Sequence, residues 1–255
     1  MPATITREKH FGVVHIVINR PEARNSIDGE TARQLEEAFI EVESDSSSHV
    51  IVLSGAGQGF SAGLDLKAFA DHGDVGETSD RGFAGITRRT PDKPVIAAVE
   101  GFALAGGFEI ALACDLIIAA EDARMGLPEV TRGLVADGGA LIRLPERLPL
   151  AIAMEMSLLG EEIAVEKLHR WGIVNHVVSS GQAVDAALSL ASKIAMNAPL
   201  ATAATKQILS RSSRADEVGS WQVQRDLAFP VWQSMDAQEG ARAFAEKREP
   251  RFLGK

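Results

Sequence analysis

The chain has one cysteine, Cys114, among its 255 residues, so no disulfide can form within it. Set in the apolar run IALACDLIIAA, that cysteine reads as a small core residue, and the thiol usage points to a reducing, cytoplasmic setting. No apolar run approaches the ~18 residues of a membrane-spanning helix, and MPATITREKHFGVV has no apolar stretch behind a basic start. No membrane partner is expected. Positive charge is also short: 26 Lys and Arg stand against 35 Asp and Glu, a net charge of −9, with no basic run to follow a phosphate backbone. Nucleic acid is therefore not an expected partner.

Several catalytic signatures are missing as well. No Gly-Lys-Ser/Thr follows a glycine-rich turn, and G-x-G-x-x-G is absent from the strand-to-helix turns, which disfavours nucleotide cofactors. Ser61 lacks the G-x-S-x-G elbow, and all six histidines lie outside the glycine-rich segments, so a Ser-His-Asp hydrolase is disfavoured. With no H-E-x-x-H and no cysteine pair, no metal site is expected.

What is present is the composition of a globular protein, 45% apolar and 24% charged, with regular patterning. β-Branched runs at 10–20 and 48–57 flank a helical stretch at 29–43, and strand 92–101, helix 106–113 and strand 116–122 follow. Short helices are expected at 136–147, 149–159 and 164–171, with a further strand at 172–178. Beyond residue 182 apolar residues fall at helical spacing, without strand signals. The expected organisation is an α/β core over 1–195 and a helical region over 196–255. Trp221, Phe229, Trp232 and Phe244 in that region either close the core or pack on another subunit. The Gly-, Asp- and Ser-rich stretch 71–89 has no clear period and reads as a mobile loop or a poorly packed helix bordering a site, either a lid or a solvated connector.

Two glutamates stand out. A solvated surface charge is the ordinary fate of Glu. Glu109, however, is embedded in AGGFEIALACD, with small and apolar neighbours on every helical face, and Glu129 sits in MGLPEVTRGLVADGG. Two carboxylates facing one pocket can exchange protons with water and carbon. Gly55, Gly57, Gly59 and Gly63 follow one strand, and Gly106 and Gly107 follow another and open a helix. If the N–H groups of Leu64 and Gly106 converge, they can hold one carbonyl oxygen as negative charge develops on it. Carboxylates beside such a hole suit reactions that pass through an enolate.

The segments NRPEARNSI (19–27), FSAGLDLK (60–67), DKPVIAAVEGFALAGGFEIALACD (92–115), GLPEVTRGL (126–134), RWGIVNHVV (170–178), NAPLA (197–201) and AFAEKREPRF (243–252) resemble the enoyl-CoA hydratase/isomerase, or crotonase, superfamily from end to end. ADGGALIRLP, RWGIVN and EGARAFAEKREP look closest to its crotonobetainyl-CoA hydratases. The resemblance implies a crotonase-like α/β spiral of β-β-α repeats and a helical C-terminal trimerisation region, with trimers often pairing into hexamers. It implies Glu109 and Glu129 as the catalytic pair and the N–H groups of Leu64 and Gly106 as the oxyanion hole. It also places Ala23, Arg24, Ala62, Gly63, Asp65 and Leu66 along the coenzyme A path, with Arg24 and, from a neighbouring subunit, Lys247 as either phosphate contacts or surface ion-pair residues. Coenzyme A enters as part of the substrate, and no separate cofactor is implied.

The implied reaction is addition of water across the 2,3 double bond of a 2-enoyl-CoA. Double-bond isomerisation and non-catalytic acyl-CoA binding remain the alternatives. Many relatives have Gly-Ala-Gly-Gly after a Pro where this chain reads Ala136-Asp137-Gly138-Gly139. Asp137 is either an exposed helix N-cap or a contact for a polar or cationic acyl group.

Overall fold

The computed structural model describes residues 3–197, 199–213, 229, 232–248 and 250. A polar strand, β1 (Ile5–His10), turns back into the apolar β2 (Val13–Ile18), forming the antiparallel edge of a six-stranded sheet. Parallel to β2 run β3 (Val50–Gly55), β6 (Val95–Val99), β8 (Leu116–Ala120) and β11 (His176–Val178), in that order. β3 and β6 are buried along nearly their whole length, as expected of parallel strands covered on both faces.

Strand alternation divides the core between those faces. Val50, Val52, Ile96 and Ile118 meet Ala183, Ala187 and Ala191, spaced one helical turn apart on the helix Ala183–Ala195. On the other face Ile51 and Leu53 join Leu35 and Phe39 of the helix Gly29–Ser44, which Asp28 caps by accepting from the Thr31 N–H.

A second sheet contains β7 (Phe102–Leu104), β9 (Arg124–Gly126) and β10 (Ile163–Ala164). The two sheets together carry the repeat. β6 and β7 are followed by the helix Gly106–Ala113, and β8 and β9 by the short 3-10 helix Pro128–Arg132. β6 pairs with β8 while β7 pairs with β9, both in parallel, so each β-β-helix unit stacks on the next. An earlier turn of the spiral comes from β3, a bridge from Ser61 to Ala103, and the helix Leu66–His72.

Cys114 ends the helix Gly106–Ala113 inside the core, and burial pushes its thiol up to about 12.

The stretch 71–89 departs from the expected loose loop. It forms a small hairpin, β4 (Glu77–Thr78) with β5 (Gly82–Phe83), and buries Phe83, Ala84 and Ile86. Arg81 pairs with Glu43, and Arg88 holds Glu77 through two bonds of 2.9 and 3.2 Å. Its apolar residues carry no period because they pack from successive turns rather than from one helix or strand.

In the C-terminal region, helices span Pro199–Ser213 and Met235–Ala245. The latter folds back on its own chain against the helix Leu66–His72 and the 3-10 helix bearing Glu129. Trp221 lies outside the described residues, as does most of the helical stretch expected around it.

Candidate active site

A cavity of about 1110 Å³ opens between the glycine-rich turns, the 3-10 helix Pro128–Arg132 and the C-terminal helix. Glu109 and Glu129 both line it. Each is buried, at 4% and 8% exposure, which is unusual for an acid and demands a compensating role.

The first wall is held together by buried polar side chains. Asn25 donates to the carbonyls of Ala56 and Gly59 at 2.8 Å and accepts from the Arg20 N–H at 2.9 Å. Ser61 donates to the Asn25 carbonyl and accepts from the Gly63 N–H. These bonds stitch the 20–27 turn to the 59–65 turn. Gly63 takes φ +86°, and a Cβ there would stand 2.6 Å from the Gly106 nitrogen, so only glycine lets the two turns close.

Ala105 at the N-cap of the helix Gly106–Ala113 adopts φ +52° and ψ −129°, a costly conformation for a residue with a Cβ. It turns the chain so that the helix begins at Gly106, beside Gly63. Among the described residues, neither the Leu64 N–H nor the Gly106 N–H has an acceptor, and both residues line the cavity. Two such donors on adjoining turns fit a carbonyl oxygen gaining charge.

Glu109 lies one turn into this helix. Its Oε1 accepts from the Ala140 N–H at 3.0 Å, and a Cβ on Gly138 would stand 2.5 Å from its Oε2. Burial, assisted by the nearby Asp137 charge, pushes its carboxyl up to about 7 against those hydrogen bonds. Glu129 comes from the short helix that Pro128 starts. Its Oε2 is buried without a hydrogen-bond partner among the described residues. Burial first, and then the charge of Glu109, hold its carboxyl well above the ordinary range. The pair therefore titrates as one unit, with a proton held near neutral pH.

Of the other residues singled out in the sequence, Ala23, Arg24, Ala62, Asp65 and Leu66 line the same cavity, and Gly63 closes the turn behind it. Arg24 stacks its guanidinium 4.4 Å from the Phe102 ring centre. Asp65 caps the helix Leu66–His72 and pairs with Arg20 at 3.0 Å, so its carboxylate already has a structural task. Lys247 is exposed and does not line the cavity of its own chain.

Asp137 is not the helix N-cap that its sequence position allowed. Gly139 holds that place, and the Asp137 carboxylate lines the cavity, accepting from the Trp232 indole N–H at 2.8 Å. Burial is the main cause that raises it to about 6.

Sequence reasoning missed Arg132, Phe83 and Phe69, which also line the cavity. Arg132 stacks on Phe244, with 5.3 Å from guanidinium carbon to ring centre. The only available signal was its position three residues after Glu129. Among the described residues no group of three or more His, Cys, Asp or Glu could hold a metal ion, and no helix is long and apolar enough to cross a membrane.

Stacked β-β-helix units with two free N–H groups beside paired buried acids define a class, and comparison with known proteins agrees. The enoyl-CoA hydratase/isomerase family profile matches residues 8–255, and the chain belongs to that family. It is 43% identical over 254 residues to a carnitinyl-CoA dehydratase from Proteus mirabilis, covering 95% of both chains. Among solved structures, a carnitinyl-CoA hydratase from Mycobacterium avium superposes with a TM-score of 0.92 at 40% identity, over 99% of both chains. An enoyl-CoA hydratase from Mycobacterium tuberculosis H37Rv is 47% identical over 99% of both chains, with a TM-score of 0.80.

Proposed function

We propose that the protein is a hydro-lyase that reversibly adds water across the 2,3 double bond of a 2-enoyl-CoA thioester carrying a polar acyl group, giving the 3-hydroxyacyl-CoA. The observation that carries this reading is the pair of buried acids, one with an unpartnered oxygen, in one cavity with two unpaired backbone donors. The names of the carnitinyl-CoA relatives support the polar acyl group.

In the proposed reaction the Leu64 and Gly106 N–H groups bind the thioester oxygen and polarise the conjugated double bond. Water sits between Glu109 and Glu129. Glu129 Oε2, without a hydrogen-bond partner among the described residues, is suited to take a proton as the water oxygen bonds to C3. The electron pair of the double bond moves to form the enolate, which the two N–H groups stabilise. Protonation at C2 by the shared-proton pair then restores the thioester and the charge of the site. No redox change occurs, so no cofactor beyond the coenzyme A of the substrate is invoked.

Arg24 at the rim, with Ala23 and the 62–66 backbone, would carry the coenzyme A moiety, and Lys247 would reach a phosphate from a neighbouring subunit. We assign 1–195 to the catalytic core and 196–255 to assembly as a trimer or a hexamer. Exposed Leu150, Met154 and Leu158, one helical turn apart, support an interface between copies. A cytoplasmic location fits the buried, reduced Cys114.

The test is Glu129→Gln, assayed with crotonyl-CoA by loss of the conjugated thioester absorbance. Turnover should fall by at least about 100-fold. Near-normal turnover would overturn the assignment of Glu129.

A further inference from the structure

Resting on the hydratase reading, we infer that Arg143 is a positioning residue: it ties the 138–140 turn to Thr87 and thereby keeps main-chain N–H groups on the Glu109 carboxylate. Arg143 lies at 1% exposure in the first turn of the helix Ala140–Arg147 and does not line the cavity. Its guanidinium donates to the Thr87 carbonyl at 2.5 Å and reaches the Gly138 carbonyl at 3.5 Å. The first bond is short and the second long, so Thr87 is the anchor and the turn is held against it. Thr87 is itself fixed, since its N–H donates to the Phe83 carbonyl and its neighbour Ile86 is fully buried. A planar guanidinium suits this brace because it offers donors in two directions, which an ammonium does not.

Glu109 depends on that turn for the hydrogen bonds that oppose its burial. The Ala140 N–H donates to Oε1 at 3.0 Å, and the Gly138 backbone supplies a second bond. Contact is close, as a Cβ on Gly138 would stand 2.5 Å from Oε2. Gly138 and Gly139 have no side chains to wedge the turn in place, and Gly139 takes φ +107°. Two successive glycines leave a backbone free to drift, so the turn needs a brace from outside. The charge of Arg143 acts in the same direction as the N–H groups, favouring the ionised carboxylate. Two other charged groups face Glu109: Asp137, from the same turn, opposes ionisation, and Glu129, from the 3-10 helix, shares its proton. At the opposite end of the same helix, Arg147 donates to the Leu112 carbonyl at 3.0 Å. That bond braces the helix carrying Glu109 without touching the turn.

The experiment measures kcat, KM and the pH profile of kcat/KM for crotonyl-CoA in the full-length wild type, R143K, A140P and R147K. R143K keeps the charge and loses the fork. Its kcat should fall by about tenfold while KM stays within about threefold, the size of one hydrogen bond lost away from the substrate. The acid limb of its profile should also move to higher pH, because the ionised carboxylate has lost donors. A140P removes the N–H on Glu109 directly, at the first helical position, where proline is tolerated, and should move the limb the same way. R147K should leave the limb in place. A limb unmoved in R143K, or moved equally in R147K, overturns the inference, since Arg143 then only supports the fold. If R143K does not fold, A140P decides: a limb moved to higher pH upholds the inference, and an unmoved one overturns it. In each of these cases the wild type still hydrates crotonyl-CoA. If it does not, the hydratase reading fails, and the positioning role falls with it.

Discussion

The two walls of the cavity are built from different materials. One, from 59–65 and 103–109, offers main-chain groups: two N–H donors set by a glycine at φ +86° and an alanine at φ +52°. The other, from Glu129 to Asp137 and from Phe229, Trp232 and Phe244 near the C-terminus, offers side chains. Backbone donors cannot be exchanged by substitution, so the first wall suits the part of a substrate that never varies, a thioester. Side chains change with single mutations, so the second wall suits the part that does vary. Glu109 belongs to the first wall, yet a backbone N–H at Ala140, just past the second, holds it.

If this division holds, the greatest damage should come from the first wall. Gly63→Ala would drive a methyl group toward the Gly106 nitrogen and displace a donor. The expected loss in kcat for crotonyl-CoA is on the order of 10² to 10³, the range for removing one oxyanion donor. A loss below tenfold, with the protein folded by circular dichroism, would break the comparison.

Glu109→Gln comes next, with turnover down by about 10² or more. It should also separate function from stability. The Glu109 carboxyl is raised from its ordinary value to about 7 in the folded protein, so the fold disfavours the ionised form. The stability linked to this group is complete below about pH 4.5 and is lost as the pH climbs toward 7. Gln does not titrate and keeps its acceptor for Ala140. The melting temperature of the variant relative to wild type should therefore rise between pH 5 and pH 8; a difference independent of pH would contradict the cause given for the shift.

On the second wall, Phe244→Ala removes the ring under Arg132 and part of the cavity lining. KM and acyl preference should move by several-fold, with kcat for crotonyl-CoA changing by less than about tenfold. A split in the opposite sense would mean that this wall takes part in the chemistry. The smallest effect is expected for Ala105→Gly. Relief of a positive φ offsets the added freedom of the unfolded chain, leaving stability within about 1 kcal/mol by denaturant titration.

Legibility in the sequence followed the same division. Gly106–Ala113 and β6 were visible as continuous apolar runs bounded by turn residues, because each is buried on every face. β1 was not, since five of its six residues are exposed and it gains its place by pairing with β2. β7, β9 and β10 are two or three residues long, too short to carry a period, yet they form the second sheet. Glu109 was visible from its apolar neighbours. The contact between Asp137 and Trp232 joins residues 95 positions apart, which no local pattern encodes. The packed path of 71–89 was hidden for a related reason: its anchors, such as Glu43, lie on a distant helix.

Cys114 offers a use unconnected with catalysis. It is the only thiol in the chain, it lies at 1% exposure at the C-terminal end of the helix that carries Glu109, and its proton is held tightly. A thiol-reactive dye can reach it only when that part of the core opens. Labelling without any engineered probe would time those openings, and adding an acyl-CoA would register binding as a slower clock.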